Sequence, residues 1–300
     1  MKKYLLAILF ISIIVPVSHS KVVVFDQVTT VQTPINIRVL TREGLFSAGG
    51  RMVDIYLDNN LLKKILTGGD GYGYLKYKPR GPGLKKITAR SNTDSASGLI
   101  LVLNDDEKAI IIETEGAFKD TVFSDEIRES SQKAVTSLSE NYKIIYLSRF
   151  LGKGITGIWL EKQHFPKSVI LRWHGPKTLE NLKKNGVQLH AIIGSGDVIS
   201  AVKEQIEKRF SFEKTKDGKT VKDWDEILKL LLQSPLSHPK RNDYSDEGEY
   251  SAGIEFTTIL IYRHIFESYH PRKSHKQSRR CRQQQMTARF HENWCHDLLF

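Results

Sequence analysis

The stretch KAIIIETEGAF, residues 108–118, decides how the chain folds. Its apolar run 109–112 predicts a strand that is buried on both faces of a parallel sheet. Glu113 and Glu115 follow at once, so both carboxylates lie at the carboxyl end of that strand, where open α/β sheets bind their ligands. Gly116 predicts a sharp backbone turn there. The stretch therefore predicts an α/β domain with a functional site at one strand end.

Downstream of this strand, apolar segments alternate with amphipathic ones. Further strands are predicted at residues 143–147, 168–171 and 189–193. Helices are predicted at residues 124–139, 155–162, 178–184, 197–209 and 224–232. This alternation is typical of a doubly wound parallel sheet with right-handed crossovers.

Upstream of residue 104, short strand-like segments are separated by Gly, Pro, Asn and Asp. These segments are residues 22–25, 35–39, 53–57, 72–77, 84–89 and 99–103. The stretch TGGDGYGYLKYKPRGPGLKKITARS, residues 67–91, resembles the closing strands of bacterial immunoglobulin-like surface domains, which implies an all-β sandwich. Tyr72, Tyr74 and Tyr77 either form a binding face or pair across strands.

Both ends of the chain differ in composition from its middle. Residues 1–20 carry two lysines before an apolar run, which predicts a cleaved signal peptide, with an uncleaved membrane anchor as the alternative. We therefore expect a bacterial periplasmic or secreted protein with no integral membrane segment after cleavage. The tail contains Cys281 and Cys295, which either form a disulfide or join nearby histidines at a metal.

The predicted organisation has four parts: a signal peptide at 1–20, an immunoglobulin-like sandwich at 21–103, an α/β domain at 104–235, and a linker with a basic tail at 236–300. The net charge is +11, but the leader and tail hold much of it. The folded middle is only mildly basic, so we expect no nucleic-acid partner.

Polar residues follow each of the four strands of the α/β domain. Glu113 and Glu115 follow the first strand, Ser148 the second, Lys177 the third and Asp197 the fourth. Because the carboxyl ends of parallel strands meet at one edge, we expect these residues to lie together. The layout resembles the haloacid dehalogenase-like (HAD) superfamily of phosphoryl-transfer enzymes.

The resemblance covers residues 104–230 and is most specific over residues 146–184, which contain YLSRF, ITGIWL and FPKSVILRW. These motifs look like the lipin-type and actin-patch phosphatidate phosphatase branch of the superfamily. The matching positions are Thr156, Trp159, Leu160, Phe165, Pro166, Leu171 and Arg172.

The resemblance implies catalytic roles for four residues. Glu113 takes the place of the nucleophile and Glu115 that of the general acid/base. Ser148 matches the hydroxyl that binds phosphate oxygens. Lys177 matches the cation that offsets the phosphate charge, with the lysine pair 183–184 as an alternative. Taken singly, Ser148 is also explained by helix capping and Lys177 by surface exposure.

A magnesium ion is implied as well, with Glu113 and Asp197 as its ligands. The superfamily has Asp at both motif positions, whereas this chain has Glu113 and Glu115. Each Glu is one methylene longer, and a misplacement of about 1 Å can cost on the order of 10²-fold in rate. Magnesium also demands near-ideal octahedral geometry.

The sequence therefore predicts an exported pseudoenzyme. It would bind a phosphate-bearing small molecule or lipid, or hold a protein partner through the β-sandwich. The alternative is an active magnesium-dependent phosphomonoesterase, with phospholipids among its candidate substrates.

Overall fold

Strands with alternating inward and outward side chains form the first part of the computed structural model, which describes residues 20–44, 46–119 and 126–232. The strands are β1 (Ser20–Val24), β2 (Gln27–Thr30), β3 (Ile35–Glu43), β4 (Phe46–Ser47), β5 (Met52–Leu57), β6 (Asn60–Leu66), β7 (Tyr72–Tyr77), β8 (Gly83–Ser91) and β9 (Asp94–Leu103). The predictions for the leader before Ser20, the linker, the tail and its two cysteines lie outside the described residues.

These strands form two sheets around a shared apolar core. In the first sheet, β3 pairs with β1, β4 and β7, all antiparallel. The second has the order β2-β9-β8-β5-β6, with only β2 and β9 parallel. Val24 and Val39 from the first sheet pack in one cluster with Ile55, Ile87 and Val102 from the second. The predicted β-sandwich is therefore confirmed.

The second part of the chain alternates strands and helices, as predicted. Its strands are β10 (Lys108–Glu113), β11 (Lys143–Ser148), β12 (Ile170–Arg172), β13 (Gln188–Ile193), β14 (Lys208–Ser211) and β15 (Lys219–Thr220). Its helices are α1 (Thr114–Phe118), α2 (Ser131–Asn141), α3 (Gly152–Lys162), α4 (Lys177–Lys184), α5 (Gly196–Ala201) and α6 (Trp224–Leu232).

The six strands form one parallel sheet in the order β12-β11-β10-β13-β14-β15. The strand β10 lies at its centre and is buried from Ala109 to Glu113. Helices α2, α3 and α6 contribute to the apolar cluster on one side, and α4 and α5 to that on the other. The strand order reverses at β10, and the carboxyl end of β10 is therefore the position at which open α/β sheets bind their ligands.

The predicted helix 197–209 is wrong in its second half. Helix α5 ends at Ala201, and Lys208–Ser211 is strand β14. Phe210 is buried in the cluster that also holds Trp224 of α6. Pairing with β13 therefore buries Phe210 and satisfies its carbonyl, which accepts a hydrogen bond from Gly194 N. Tertiary packing outweighs the local helical preference of this segment.

The sandwich and the parallel sheet share side-chain contacts across the turn at residues 104–107. Val28, Leu101 and Leu103 of the sandwich pack in the same cluster as Ala109 and Ile111 of β10. Near the boundary predicted at residue 104, the sandwich strands give way to alternating strands and helices. The two parts nevertheless share this apolar cluster. Among the residues described, no helix has the length and apolarity needed to cross a membrane.

Candidate functional site at the carboxyl end of the parallel sheet

Glu113, the last residue of β10, is buried, with only 1% of its surface exposed. Its Oε2 accepts two hydrogen bonds from Ser195, which follows the neighbouring strand β13. The backbone N and the Oγ of Ser195 both lie 2.7 Å from that oxygen. One carboxylate oxygen therefore links the ends of two adjacent strands at the place where the strand order reverses.

Glu115 is held by the loop between β11 and α3. Its carboxylate accepts hydrogen bonds from the N–H groups of Arg149, Phe150 and Leu151, at 3.1–3.3 Å. Ser148 Oγ donates to it at 3.0 Å, and Thr114 Oγ1 donates at 2.8 Å. Successive N–H groups that precede a helix form a site suited to an anion. In this molecule the anion is the protein's own carboxylate.

The two carboxylates have opposite pKa shifts. Burial is the main reason that the pKa of Glu113 is raised; the Ser195 hydrogen bonds oppose the shift and the nearby Glu115 charge adds to it. Burial also acts to raise the pKa of Glu115, but the N–H donors of Arg149 and Phe150 outweigh it, so this pKa is lowered. Glu115 is therefore the better stabilised anion of the pair.

The raised pKa of Glu113 predicts a pH-dependent stability difference for the Glu113→Gln variant. The folded protein holds the Glu113 proton more tightly than the unfolded chain does. The stability of the parent therefore falls as pH rises from the ordinary value of 4.5 through the raised pKa. Glutamine keeps an oxygen for Ser195 but has no charge to bury.

We expect the variant to gain stability relative to the parent as pH rises through this window. Urea unfolding of both proteins at acidic and neutral pH measures the difference. Glu115 is common to both, so its own loss of stability at low pH cancels in the comparison. A difference that is flat with pH, or that has the opposite sign, would contradict the assignment.

Gly116 lies within α1 and has no positive φ, so the sharp glycine turn predicted there is not present. Residue 116 must be a glycine for a different reason. A Cβ at this position would collide with the backbone of Ser195 and lie 2.8 Å from Glu113 Oε2. Gly194 is equally constrained, because its Cβ would lie 2.7 Å from the same oxygen. The two glycines allow the ends of β10 and β13 to approach each other.

The Gly116→Ala variant is therefore expected to lose about 2 kcal/mol of stability or more, since backbone atoms must move to accept the methyl group. Gly154→Ala in α3 is the matched control, because nothing lies within 4 Å of its Cβ position. A helix gains about 0.5–1 kcal/mol from Ala in place of Gly. Denaturant unfolding of both variants measures the two changes, and equal effects would contradict the close approach.

Ser148 is buried and connects Glu115 to α3. Its Oγ donates to Glu115 and accepts hydrogen bonds from Gly152 N and Thr156 Oγ1, each at 3.0 Å. The hydroxyl therefore bonds to the protein's own carboxylate, and the residue at the N-cap of α3 is Leu151. The phosphate-binding role remains a prediction. The one donor and both acceptor positions of the Ser148 hydroxyl are therefore occupied.

Among the described residues, no side-chain hydrogen bond or ion pair joins Asp197 or Lys177 to the two glutamates. Asp197 is in the first turn of α5, is 79% exposed in its side chain, and forms an ion pair with Arg149 at 2.9 Å. Lys177 begins α4 and is exposed, and no hydrogen bond or ion pair joins it to another described residue. The structure thus brings together Glu113, Glu115 and Ser148, and leaves Lys177 outside that network.

The expected magnesium site does not fit these residues. Asp197 is neutralised by Arg149, and Glu113 is engaged with Ser195. In the described part of the chain, no group of three or more His, Cys, Asp or Glu is arranged to hold a metal ion. Octahedral coordination needs several oxygens that converge on one point, whereas Glu113 Oε2 is bonded to Ser195 and Asp197 Oδ2 faces Arg149.

Three features of the site were not assigned from the sequence. Ser195 has no role in the sequence analysis, although it supplies both hydrogen bonds to Glu113. The backbone N–H donors of residues 149–151 cannot be recognised from the sequence, because every residue except proline has such a group. The role of Gly116 in close packing depends on β13, which is distant in sequence. The one available signal was a serine two residues after the end of a buried strand.

No protein-family model matches the sequence, and no curated protein matches it. Among solved structures, the CARDB domain of a Pyrococcus furiosus protein is 18% identical, covering 28% of this chain and 92% of that chain with a TM-score of 0.22. The fibronectin(III)-like modules of Clostridium thermocellum CbhA are 14% identical, covering 28% and 97%, with a TM-score of 0.21. Titin domain M7 is 15% identical, covering 30% and 97%, with a TM-score of 0.21.

These neighbours are β-sandwich domains of the immunoglobulin-like and fibronectin-III-like kinds. We draw no functional argument from similarities at such TM-scores. The strand pairing itself defines the class of protein: a β-sandwich joined to a parallel α/β sheet with helices on both faces.

Proposed function

We propose that this is an exported, non-catalytic binding protein whose α/β part is a HAD-like phosphatase domain with an inactive site. The observation that carries the proposal is the position of Glu115. Its carboxylate accepts hydrogen bonds from Ser148 Oγ and from the N–H groups of residues 149–151. A phosphate oxygen at this loop would need the same donors.

The rest of the site supports the same proposal. A nucleophile at Glu113 would be a weak one, because two hydrogen bonds from Ser195 to Oε2 stabilise the carboxylate charge that would attack phosphorus. The raised pKa of Glu113 also lowers the fraction that is ionised and able to attack. Lys177 forms no contact that would aim it at Glu113 or Glu115. In this proposal the α/β domain serves as a scaffold. Ligands or partners bind to other surfaces, chiefly those of the β-sandwich.

A phosphatase assay on the purified protein tests the proposal. We expect no hydrolysis of an aryl phosphate or of phosphatidate above that of buffer, with or without magnesium. A parallel sample of Ser148→Ala controls for contaminating enzymes, because a contaminant is unaffected by the substitution.

Hydrolysis that requires magnesium and disappears in Ser148→Ala would overturn the proposal and support the alternative, an active phosphomonoesterase. Comparing the aryl phosphate with phosphatidate would then separate a general phosphatase from one directed at phospholipid. The proposal of export is tested separately, by finding the protein in periplasmic or culture fractions of a bacterial host.

A further inference from the structure

The outward face of the first sheet of the sandwich combines aromatic and cationic side chains. Ile35, Ile37 and Val39 of β3 point into the core, so the alternate positions of β3 and of its partners point outward. We call the following six residues the aromatic face: Phe25, Arg38, Arg42, Tyr72, Tyr74 and Lys76. No outward position of the described strands β1, β3 and β7 carries a carboxylate.

The rings of the aromatic face form a continuous row. Phe25 and Tyr72 have ring centroids 6.3 Å apart with planes 25° from parallel. Tyr72 and Tyr74 are also 6.3 Å apart, with planes 19° from parallel. The guanidinium of Arg38 lies 4.0 Å from the centre of the Phe25 ring. Because Tyr72 and Tyr74 are on one strand and Arg38 pairs with Tyr74, the sheet itself fixes this arrangement.

Tyr74 offers the largest free surface of the row, with 57% of its area exposed. Tyr77 does not belong to it, since Tyr77 packs against the sandwich core. The binding face suggested by three tyrosines in the sequence thus reduces to Tyr72 and Tyr74, with Phe25 and Arg38 added from neighbouring strands. Asp70, at the strand end, accepts a hydrogen bond from Tyr72 N.

We propose that the aromatic face binds an acidic polysaccharide built from uronate sugars. The C–H groups on one face of a pyranose ring are apolar and pack on an aromatic ring. The sugar carboxylates pair with Arg38, Arg42 and Lys76, and the planar guanidinium groups match a carboxylate in two-pronged geometry. A row of rings beside cations, without carboxylates among the outward positions, suits a ligand that is both cyclic and negatively charged.

A single-stranded nucleic acid is the main competing ligand, because such strands also bind to aromatic and basic surfaces. The proposed export of the protein favours a polysaccharide over a nucleic acid, and in this respect the inference rests on the proposed function. The inference does not depend on whether the α/β site is catalytic, since that site lies in a different part of the fold.

Titration calorimetry with polygalacturonate at low salt tests the proposal. We expect the parent to bind and Tyr74→Ala to bind about tenfold more weakly, the loss that corresponds to one aromatic contact. The Arg38→Ala variant is expected to lose binding to a similar extent, with a weaker dependence on salt. Neutral dextran should not bind to the parent.

Tyr56→Ala is the matched control, because Tyr56 also carries an arginine over its ring, Arg90 at 4.8 Å, but lies on the other sheet. Its binding should equal that of the parent. Unfolding curves establish that each variant is folded; if Tyr74→Ala fails to fold, Tyr74→Ser and Lys76→Glu take its place. Equal polygalacturonate binding by the parent and the face variants would overturn the proposal. Tighter binding of an oligothymidylate than of polygalacturonate would also overturn it.

Discussion

The Glu115→Ala variant is expected to lose about 3 kcal/mol of stability in a buffer without small anions, because each buried donor left unsatisfied costs about 1–3 kcal/mol. Five donors face the carboxylate of Glu115: the hydroxyls of Ser148 and Thr114 and the N–H groups of residues 149–151. Some of these donors will bond to water once the carboxylate is gone. The expected loss of stability is therefore smaller than five times the cost of one unsatisfied donor.

Small anions are expected to restore part of this stability in the variant only. Alanine opens a space where the carboxylate was, and acetate supplies the same group to the same donors. A ligand that binds only the folded state raises the free energy of unfolding in proportion to the logarithm of its concentration. The midpoint of thermal unfolding should therefore rise with acetate or phosphate in Glu115→Ala and stay constant in the parent.

Glu161→Ala controls for the loss of a negative charge, since Glu161 is an exposed carboxylate on α3, the helix that follows the loop bound to Glu115. It should change stability little and show no response to anions. A Glu115→Ala protein as stable as the parent, or one whose response to acetate matches the control, would contradict the role of Glu115 as an internal anion.

The second large effect is expected at Asp26, which links the sandwich to the parallel sheet. Its side chain is 1% exposed and accepts hydrogen bonds from Leu99 N and Ile170 N at 2.8 and 2.9 Å. Lys153 Nζ lies 2.6 Å from its Oδ1. The Asp26→Ala variant should lose about 3 kcal/mol, because two N–H groups lose their acceptor and each unsatisfied buried donor costs about 1–3 kcal/mol. Lys153 keeps Val24 O and Ser97 O as acceptors.

Chemical denaturation measures the loss, and hydrogen exchange locates it: the amides of Leu99 and Ile170 should lose protection first. Asp54→Ala is the control, because Asp54 forms an ion pair with Lys64 on the sandwich surface and such pairs contribute about 0–1 kcal/mol. Equal losses in the two variants would contradict the assigned importance of Asp26.

The sequence predicted most of the regular structure because the core strands follow simple patterns. The apolar run of β10 and the alternation in β7 are local signals, and both strands are where they were expected. Strand β6 was not predicted, since NLLKKIL is exposed along nearly all its length and has no alternation. The short strands β2 and β4 were missed as well.

The proximity of Glu113, Glu115 and Ser148 was predictable from the sequence, but their hydrogen bonding was not. The proximity follows from topology: residues at the carboxyl ends of parallel strands are brought to one edge, and Glu113, Glu115 and Ser148 do meet. The hydrogen bonding depends on main-chain N–H groups, which every residue except proline possesses and which no sequence pattern distinguishes. Whether a carboxylate faces a metal, a ligand or the protein's own backbone is decided by tertiary structure.

The hydrogen bonds of Asp26 and Asn185 also set the order in which the chain can fold. Asp26 bonds to Ile170, 144 positions later, and Asn185 Nδ2 donates to Val28 O across 157 positions. Contacts so distant in sequence close large loops and form slowly. If the chain crosses a membrane amino terminus first, β2 emerges long before the residues that cover it. The fold can therefore be completed only after residue 185 has crossed the membrane. Until then, β2 is exposed to aggregation and to proteases.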